Sequence, residues 1–411
     1  MIQIKRIFKM YPKPIWILTL VEFIFISRKT IFNVSREVGD YSATIDSSTS
    51  LAILGIACSL ICIVQYSKFT KYIHKMMAAL IMVYIVAALS FLWAGNMFSI
   101  LFKATEVFAN IYIIGIILIL LFQSCNIKQT IFFIIIFCLI ATYSEALAEM
   151  ARKGIGFHHT NAYSYSAMIA LLLCIGSLRF GLFKFAELKW PIILASIAWI
   201  GGTSTASYIA CLAGLFLLYS SNKSGLNIQN AIIILVLCII FYTIAGDIVY
   251  SFIRAGHSEA EMRSGTGRST IWEAAYMSFK DNPILGSGFI IGERELGPKY
   301  GFGFRQLSAH NAFLSVLVNT GLIGLFIFIR FLYKWGVILY RNSRWNVLST
   351  ILLPIYISIV INSATCPSIG SDWGPISSCI YLIIGISFIL TKKNIKHKLP
   401  RELRFKYKSY Q

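Results

Sequence analysis

Repeated apolar runs constrain this chain more than any other feature of its sequence. Runs of about 17–25 apolar residues, each long enough to cross a bilayer as a helix, recur along the chain. Only 13% of the residues are charged, against about 25% in soluble domains, and 57% are hydrophobic. Because backbone groups in lipid must be satisfied within the protein, the sequence predicts an all-α fold, a polytopic membrane helical bundle. The alternating ~10-residue strands of a barrel are not seen.

About twelve transmembrane helices are predicted from these runs. The predicted spans cover residues 14–27, 50–66, 76–95, 106–124, 130–150, 161–178, 189–202, 207–221, 229–246, 312–330, 347–361 and 374–391. They divide the chain into an N-terminal transmembrane bundle (1–246, about nine spans), a large external loop containing short helices (247–311), C-terminal spans (312–391) and a basic cytoplasmic tail (392–411).

The distribution of Lys and Arg predicts the orientation in the membrane. With both termini in the cytoplasm, most basic residues fall in cytoplasmic loops and tails, as topology rules expect. The formal net charge of +20 is thereby explained by topology and anionic lipid headgroups, and nucleic acid is not expected as a partner. The first apolar run ends in Ser27-Arg28-Lys29 without a cleavage site, so we interpret it as a retained anchor.

Nine cysteines are scattered over the predicted spans and their ends, and no two of them form a CxxC pair. We interpret them as small apolar residues of the core.

The external loop is predicted to contain a surface helix. Thr270 and Glu273 have capping-box spacing, which predicts a helix start, and Asp281-Asn282-Pro283 predicts its end. Aromatic residues recur along this segment at helical spacing. They fit either a helix lying on the bilayer or a surface for a lipid or sugar ligand.

Gly265-Thr266-Gly267-Arg268-Ser269 precedes that helix. Glycines allow close backbone approach, and amides at a helix start attract anions. Arg268 adds a planar set of donors suited to phosphate oxygens. The stretch therefore predicts a phosphate or diphosphate site, although such a turn can also be purely structural.

His310 and Asn311 lie where the tenth predicted span begins. The positive end of a helix dipole disfavours the charged imidazolium, which leaves a neutral ring able to accept a proton. The alternatives are an interfacial hydrogen-bonding role for His310 and a helix cap for Asn311. The glycines of Gly321-Leu322-Ile323-Gly324 are expected to let a neighbouring helix approach closely.

Four motifs in this order resemble the signature of the O-antigen polymerase/O-antigen ligase superfamily (Wzy and WaaL). They are Gly267-Arg268-x-x-Ile271-Trp272, Asn282-Pro283-Ile284-Leu285-Gly286-Ser287-Gly288, His310-Asn311-x-x-Leu314 and Gly321-Leu322-x-Gly324. They span about 60 residues, and the remaining spans match the family only in character.

The resemblance implies a bacterial inner-membrane glycosyltransferase that uses neither a nucleotide sugar nor a metal or other cofactor. Its donor is a glycan on undecaprenyl diphosphate, and its active site faces the periplasm. Arg268 would bind the diphosphate and His310 would orient or deprotonate the acceptor hydroxyl. Further expected substrate contacts are Arg263, Gly267, Asn311 and Arg305. A chain-length regulator is considered as an additional partner.

One stretch departs from the family pattern. Many members carry an Arg beside a Ser between two mid-chain spans, whereas residues 201–208 here contain none. The candidates for the missing phosphate contact lie in another predicted outer loop and are Arg152, Lys153, His158 and His159.

Three functions compete at this stage. A polymerase is favoured because the TGRxxIW, NPxLGxG and HN motifs look closer to polymerases. An O-antigen ligase, acting on lipid A-core, is the alternative. A lipid-linked oligosaccharide transporter or flippase is the third, but it predicts inverted repeats and ionisable groups near mid-membrane. No repeat is found, and Glu22 is the one mid-span charge that stands out.

Overall fold

A computed structural model describes residues 11–30, 47–153, 161–222, 225–226, 268–300, 308–371 and 374–390. These residues are almost entirely helical. The first eight helices are α1 (Lys13–Thr30), α2 (Ser47–Gln65), α3 (Thr70–Leu89), α4 (Met97–Ser124), α5 (Ile127–Lys153), α6 (Asn161–Arg179), α7 (Phe185–Gly201) and α8 (Thr205–Ser220). The remaining six are α9 (Arg268–Asp281), α10 (Ile291–Arg294), α11 (Leu296–Tyr300), α12 (Ala312–Ser343), α13 (Val347–Ser363) and α14 (Pro375–Leu390). Short 3-10 turns cover Ser67–Phe69 and Ser90–Leu92, and a two-residue antiparallel ladder pairs Ser221–Asn222 with Gly225–Leu226.

The all-helical prediction is confirmed, and a helix overlaps each predicted span except 229–246, which lies outside the described residues. By length and composition, four described helical segments can cross a membrane: Ser67–Leu92, Met97–Ser124, Ile127–Ala151 and Ala312–Ser343. Five shorter apolar helices accompany them. The chain is therefore a multi-helix membrane protein, while the predicted total of about twelve spans stays a prediction.

The bundle is organised around helices that bury nearly every side chain. In α14, the five consecutive residues from Cys379 to Ile383 are fully buried. Helix α4 is buried along most of its length. Peripheral helices instead expose large apolar side chains, among them Val64 and Phe326. Lipid rather than water satisfies such a surface, since soluble monomers rarely expose extended apolar patches. Six of the eight described cysteines are buried, as predicted for core residues.

The interior also carries more charge than the sequence suggested. Glu22 on α1 is fully buried and accepts a hydrogen bond from the Ser378 hydroxyl. Glu106 on α4 is equally buried and pairs with Arg28 and, at 3.2 Å, with Lys103. The expectation that Glu22 alone stood out was therefore wrong. Glu106 was missed because it lies at the edge of its predicted span.

A set of hydrogen bonds connects the helix ends on one side of the bundle. Tyr163 donates to the Gly201 carbonyl at 2.9 Å, and Asn362 donates to the Ser207 hydroxyl at 3.0 Å. The loop that leaves α13 then reaches Glu293 through the Ser371 hydroxyl. We call this side of the bundle the His310 end.

Candidate active site

The site is built on a break in α12. Gly321 adopts φ 62° and ψ −161°, so this helix consists of two parts, 312–320 and 322–343. The first part is too short to cross a membrane, since nine helical residues span about 14 Å. The break leaves the backbone groups on both sides of Gly321 without their usual helical partners, and in an apolar setting these groups must be satisfied locally.

The backbone of residues 283–288 supplies those partners. The amides of Leu322 and Ile323 donate to the carbonyls of Pro283 and Ile284 at 2.9 and 3.3 Å. In the other direction, the amides of Ser287 and Gly288 donate to the carbonyls of Val318 and Asn319 at 2.8 and 3.0 Å. The Asn-Pro-Ile-Leu-Gly-Ser-Gly motif thus docks on the break in α12 through backbone-to-backbone hydrogen bonds.

Two glycines make this docking possible. A Cβ on Gly286, where φ is 70°, would lie 2.5 Å from the amide nitrogens of Thr320 and Gly321. A Cβ on Gly321 would overlap the Ile284 carbonyl. The prediction that Gly321 and Gly324 admit a neighbouring helix was therefore wrong, because the partner at Gly321 is a loop and Gly324 packs on the Thr320 side chain of its own helix.

The end of α3 holds the other side of the same loop. The Trp93 indole donates to the Gly286 carbonyl at 3.1 Å, and the Ser90 hydroxyl accepts from the Phe289 amide at 2.8 Å. The loop is consequently clamped between α3 and the break in α12.

His310 lies two residues before the first part of α12, next to its N-cap Asn311, so it is at the start of this helix as predicted. Its backbone is in the left-handed region, with φ 49°, which is uncommon for a residue with a Cβ and costs free energy that the surroundings must offset. The His310 amide donates to the Ser308 hydroxyl at 3.1 Å. The side-chain oxygen of Asn311 accepts from the amides of Phe313 and Leu314 at 2.9 and 3.2 Å, so Asn311 caps this helix.

The carboxylate of Glu293 holds this turn by hydrogen bonds. The sequence analysis did not single out this residue. One carboxylate oxygen, Oε1, accepts from the Ala309 amide at 2.8 Å and the Ser315 hydroxyl at 2.6 Å. The other, Oε2, accepts from Asn319 Nδ2 at 3.0 Å and the Ser371 hydroxyl at 2.8 Å. The residue is 2% exposed. From sequence it counted as one of several balanced loop charges, but it follows the buried residues Phe289, Ile290 and Ile291, which is the signal that could have located it.

Helix α9 meets the His310 turn through a tryptophan. Trp272 Nε1 donates to the Ala309 carbonyl at 3.2 Å. Trp272 is one turn beyond Arg268, the first residue of α9, so this bond ties the start of that helix to the residue before His310. The predicted helix end at Asp281 is confirmed, but the predicted start at Thr270 was wrong, because the helix already begins at Arg268. The Arg268 side chain is not among the described parts.

A polar contact closes the far end of α9. Asp281 accepts from Lys299 at 2.9 Å and from the Tyr300 hydroxyl at 2.8 Å, which joins α9 to α11. These hydrogen bonds, the one from Lys299 first, lower the pKa of Asp281 below its usual value of 3.8. The contact is therefore present at neutral pH and is lost only as the pH falls through that lowered value.

Residues 201–208, the stretch that lacks the family's Arg, are held by hydrogen bonds of uncharged groups. Thr203 has a φ of 43°, and the Ser204 side chain caps α8 by accepting from the Ser207 amide at 3.3 Å. Tyr163, two residues into α6, is bonded to Gly201. The start of α6 thus lies beside this stretch. Four residues were predicted to supply the missing contact. Arg152 and Lys153 lie at the end of α5 with undescribed side chains, and His158 and His159 lie outside the described residues.

The other residues predicted to contact the substrate do not belong to the described part of the chain. Arg263, Gly267 and Arg305 all lie outside it. Of the predicted site residues, the structure describes His310 and Asn311 completely, and it brings them together with the start of α9.

Fold and site together define a class: a multi-helix membrane protein whose polar site lies at a broken helix and a docked loop. Comparison with known families narrows this class. Residues 190–329, about a third of the chain, match the family described as O-antigen ligase. The resemblance to the O-antigen ligase/polymerase superfamily is thereby confirmed. The matched family supports an O-antigen ligase/polymerase-type function and implies a membrane glycosyltransferase-like enzyme. No curated protein matches the chain.

Proposed function

We propose that this chain is a surface-polysaccharide (O-antigen) polymerase. It would transfer an undecaprenyl-diphosphate-linked glycan onto the next lipid-linked repeat unit, at the periplasmic face of a bacterial inner membrane. The observation that carries the proposal is the hydrogen bond from Trp272 to Ala309, within the matched segment. It joins the helix that begins at Arg268 to the residue preceding His310.

In the proposed reaction, the acceptor hydroxyl oxygen forms a bond to the anomeric carbon of the donor glycan. The bond between that carbon and the diphosphate oxygen breaks, and the lipid diphosphate leaves with the bonding electrons. The hydroxyl proton passes to the imidazole of His310 as general base. Negative charge develops on the leaving oxygen, and stabilising it lowers the barrier.

Arg268 and the first amides of α9 are suited to that leaving group. A guanidinium can donate two parallel hydrogen bonds to phosphate oxygens, and helix N-termini favour anions. Helix α9 is 14 residues long, and its first amides carry the positive end of its dipole. Arg263, Gly267 and Arg305 would complete the donor site, with Arg152, Lys153, His158 or His159 supplying the second phosphate contact.

His310 and Asn311 are suited to the acceptor. The left-handed backbone of His310 is a conformation maintained at a cost, and such conformations cluster at functional sites. The cap formed by Asn311 uses its side-chain oxygen, which leaves the side-chain nitrogen to contact a sugar hydroxyl.

An O-antigen ligase is the second candidate, because the matched family carries that description. The two enzymes share donor and chemistry and differ in the acceptor, which is lipid A-core for the ligase. The matched family favours either of them over the transporter considered above.

Gene deletion with complementation, followed by electrophoresis of lipopolysaccharide, tests the proposal. A polymerase deletion leaves a single repeat unit on core. Lipid-linked polymer accumulating beside bare core would instead identify a ligase. Unchanged long-chain lipopolysaccharide and unchanged lipid-linked intermediates would contradict both. If a chain-length regulator acts with this chain, deleting that regulator alone, with this gene intact, should alter the length distribution of the polymer.

A further inference from the structure

Glu293 is a buried charged side chain at the His310 end, and both of its carboxylate oxygens accept hydrogen bonds. Its carboxylate is buried and accepts four hydrogen bonds, from Ala309, Ser315, Asn319 and Ser371. Among the described residues, no Lys or Arg forms an ion pair with it. A buried charge is costly to desolvate, and the four described donors offset part of that cost by satisfying both carboxylate oxygens.

We propose that Glu293 is the positioning residue for His310. This inference rests on the proposed function, in which His310 is the general base. Glu293 does not reach the substrate in this proposal. It acts through the backbone of Ala309, which it holds by a hydrogen bond. In this way it determines the position of the backbone from which the His310 side chain extends.

Both backbone groups of Ala309 are bonded. Its amide donates to Glu293 Oε1 at 2.8 Å and its carbonyl accepts from Trp272 at 3.2 Å, while its side chain is fully buried. The next residue, His310, has the strained φ of 49°. Because the Ala309 peptide groups are held on both sides, the turn cannot relax by rotating them, and the strain stays at His310.

The same carboxylate links this turn to the rest of the site. Oε1 also accepts from Ser315 on the first part of α12, and Oε2 accepts from Asn319, two residues before the break at Gly321. The Glu293 amide in turn donates to Asn319 Oδ1 at 3.3 Å. Glu293 therefore fixes the His310 turn relative to the helix that follows it.

The donor pattern requires a carboxylate and excludes an amide. An ionised carboxylate only accepts, whereas glutamine has one accepting oxygen and one NH₂ donor. If the glutamine nitrogen replaced Oε1, it would face the Ala309 amide. If it replaced Oε2, it would face Asn319 Nδ2, which cannot flip because Asn319 Oδ1 accepts from the Glu293 amide. In either orientation, two donors face each other.

The test is a double-mutant cycle on purified, membrane-reconstituted protein with a synthetic lipid-diphosphate-linked repeat unit. Wild type, Glu293→Gln, His310→Ala and the double variant are compared at equal amounts of folded, monodisperse protein. Glu293→Gln is expected to lower kcat about 10- to 100-fold with KM changed less than about twofold. In the His310→Ala background, it is expected to lower the residual rate less than about twofold, because residues acting as a unit are not additive.

Multiplicative losses in the double variant would mean a general structural role and overturn the inference, as would wild-type kcat in Glu293→Gln. Wild-type activity in His310→Ala alone would instead overturn the base assignment of the proposed function. Glu293→Asp covers the case in which the glutamine variant does not fold. It keeps the acceptors on a shorter arm, so an intermediate kcat is expected and a wild-type kcat contradicts the proposal.

Glu295→Gln is the matched control. Glu295 lies two residues further along and is half-buried, and its side chain makes no hydrogen bond to any of the described residues. The same charge is removed from the same loop, and kcat is expected to stay within about twofold of wild type.

Discussion

Gly321 performs two tasks that no other residue type can combine. Its positive φ breaks α12, and its missing Cβ lets the Ile284 carbonyl approach the break. The backbone groups exposed by the break are the ones that the 283–288 loop bonds. The discontinuity and the docked loop are therefore mutually dependent.

Gly321→Ala should consequently disrupt both the break in α12 and the docking of the 283–288 loop. A side chain in the left-handed region costs about 1–3 kcal/mol, and overlap with the Ile284 carbonyl adds to this. We expect a loss of about 2 kcal/mol or more in unfolding free energy and loss of transfer activity, measured by thermal unfolding in detergent and by chain extension in cells. Gly95→Ala is the control, since a Cβ there meets no atom within 4 Å. Equal stability of the two variants would contradict the docking role of Gly321.

At the residue scale, sequence predicted what depends on local patterns. Asn311 and His310 precede a helix because an Asn before an apolar run is a cap signal, and the structure agrees. Glu293 was not predicted because its four donors come from residues 309, 315, 319 and 371. Only tertiary packing shows that such a charge is buried and bonded rather than solvated.

At the scale of elements, the site joins helices that are far apart in sequence. The loop between α9 and α10 is held by α3 on one side and α12 on the other. Helix α9 is held at its start by the Trp272 bond and at its end by Asp281. The positions of these helices were predictable from hydropathy and caps. The break in α12 was not, because the hydropathy of 312–343 is continuous across it.

Trp272→Phe tests the connection between α9 and the His310 turn. Phenylalanine keeps an aromatic ring but removes the N–H that the Ala309 carbonyl accepts. We expect kcat to fall about 10-fold while the stability changes by about 1 kcal/mol, the usual net contribution of one hydrogen bond. Trp190→Phe removes an exposed indole at the start of α7 and should leave kcat unchanged. The same kcat in both variants would show that the hydrogen bond between α9 and the His310 turn does not contribute to the reaction rate.

At the scale of the whole molecule, the polar chemistry gathers at one end of an apolar bundle. Side-chain hydrogen bonds there join the start of α6 to the end of α7, the end of α7 to the start of α8, and the start of α8 to the end of α13. Glu293 joins the loop after α13 to the start of α12. Positive residues in the loops predict that this end faces away from the cytoplasm.

Labelling with a membrane-impermeant maleimide in intact cells tests this orientation. Pro298→Cys puts a thiol on an exposed residue at the His310 end, and Lys68→Cys puts one on the turn between α2 and α3, at the opposite end. We expect labelling of the first variant above the wild-type background and labelling of the second only after permeabilisation. The reverse pattern would invert the predicted topology.

The most direct test of the account is transfer from a lipid-diphosphate-linked glycan by purified protein in nanodiscs, in a single turnover. Arg268→Ala and His310→Ala should each slow transfer by about 100-fold or more, the scale on which electrostatic and general-base contributions act. Arg294→Ala, a second arginine of the same loop, should transfer at the wild-type rate. Wild-type rates in folded Arg268→Ala or His310→Ala protein would contradict the assignment of the chemistry to this end of the bundle.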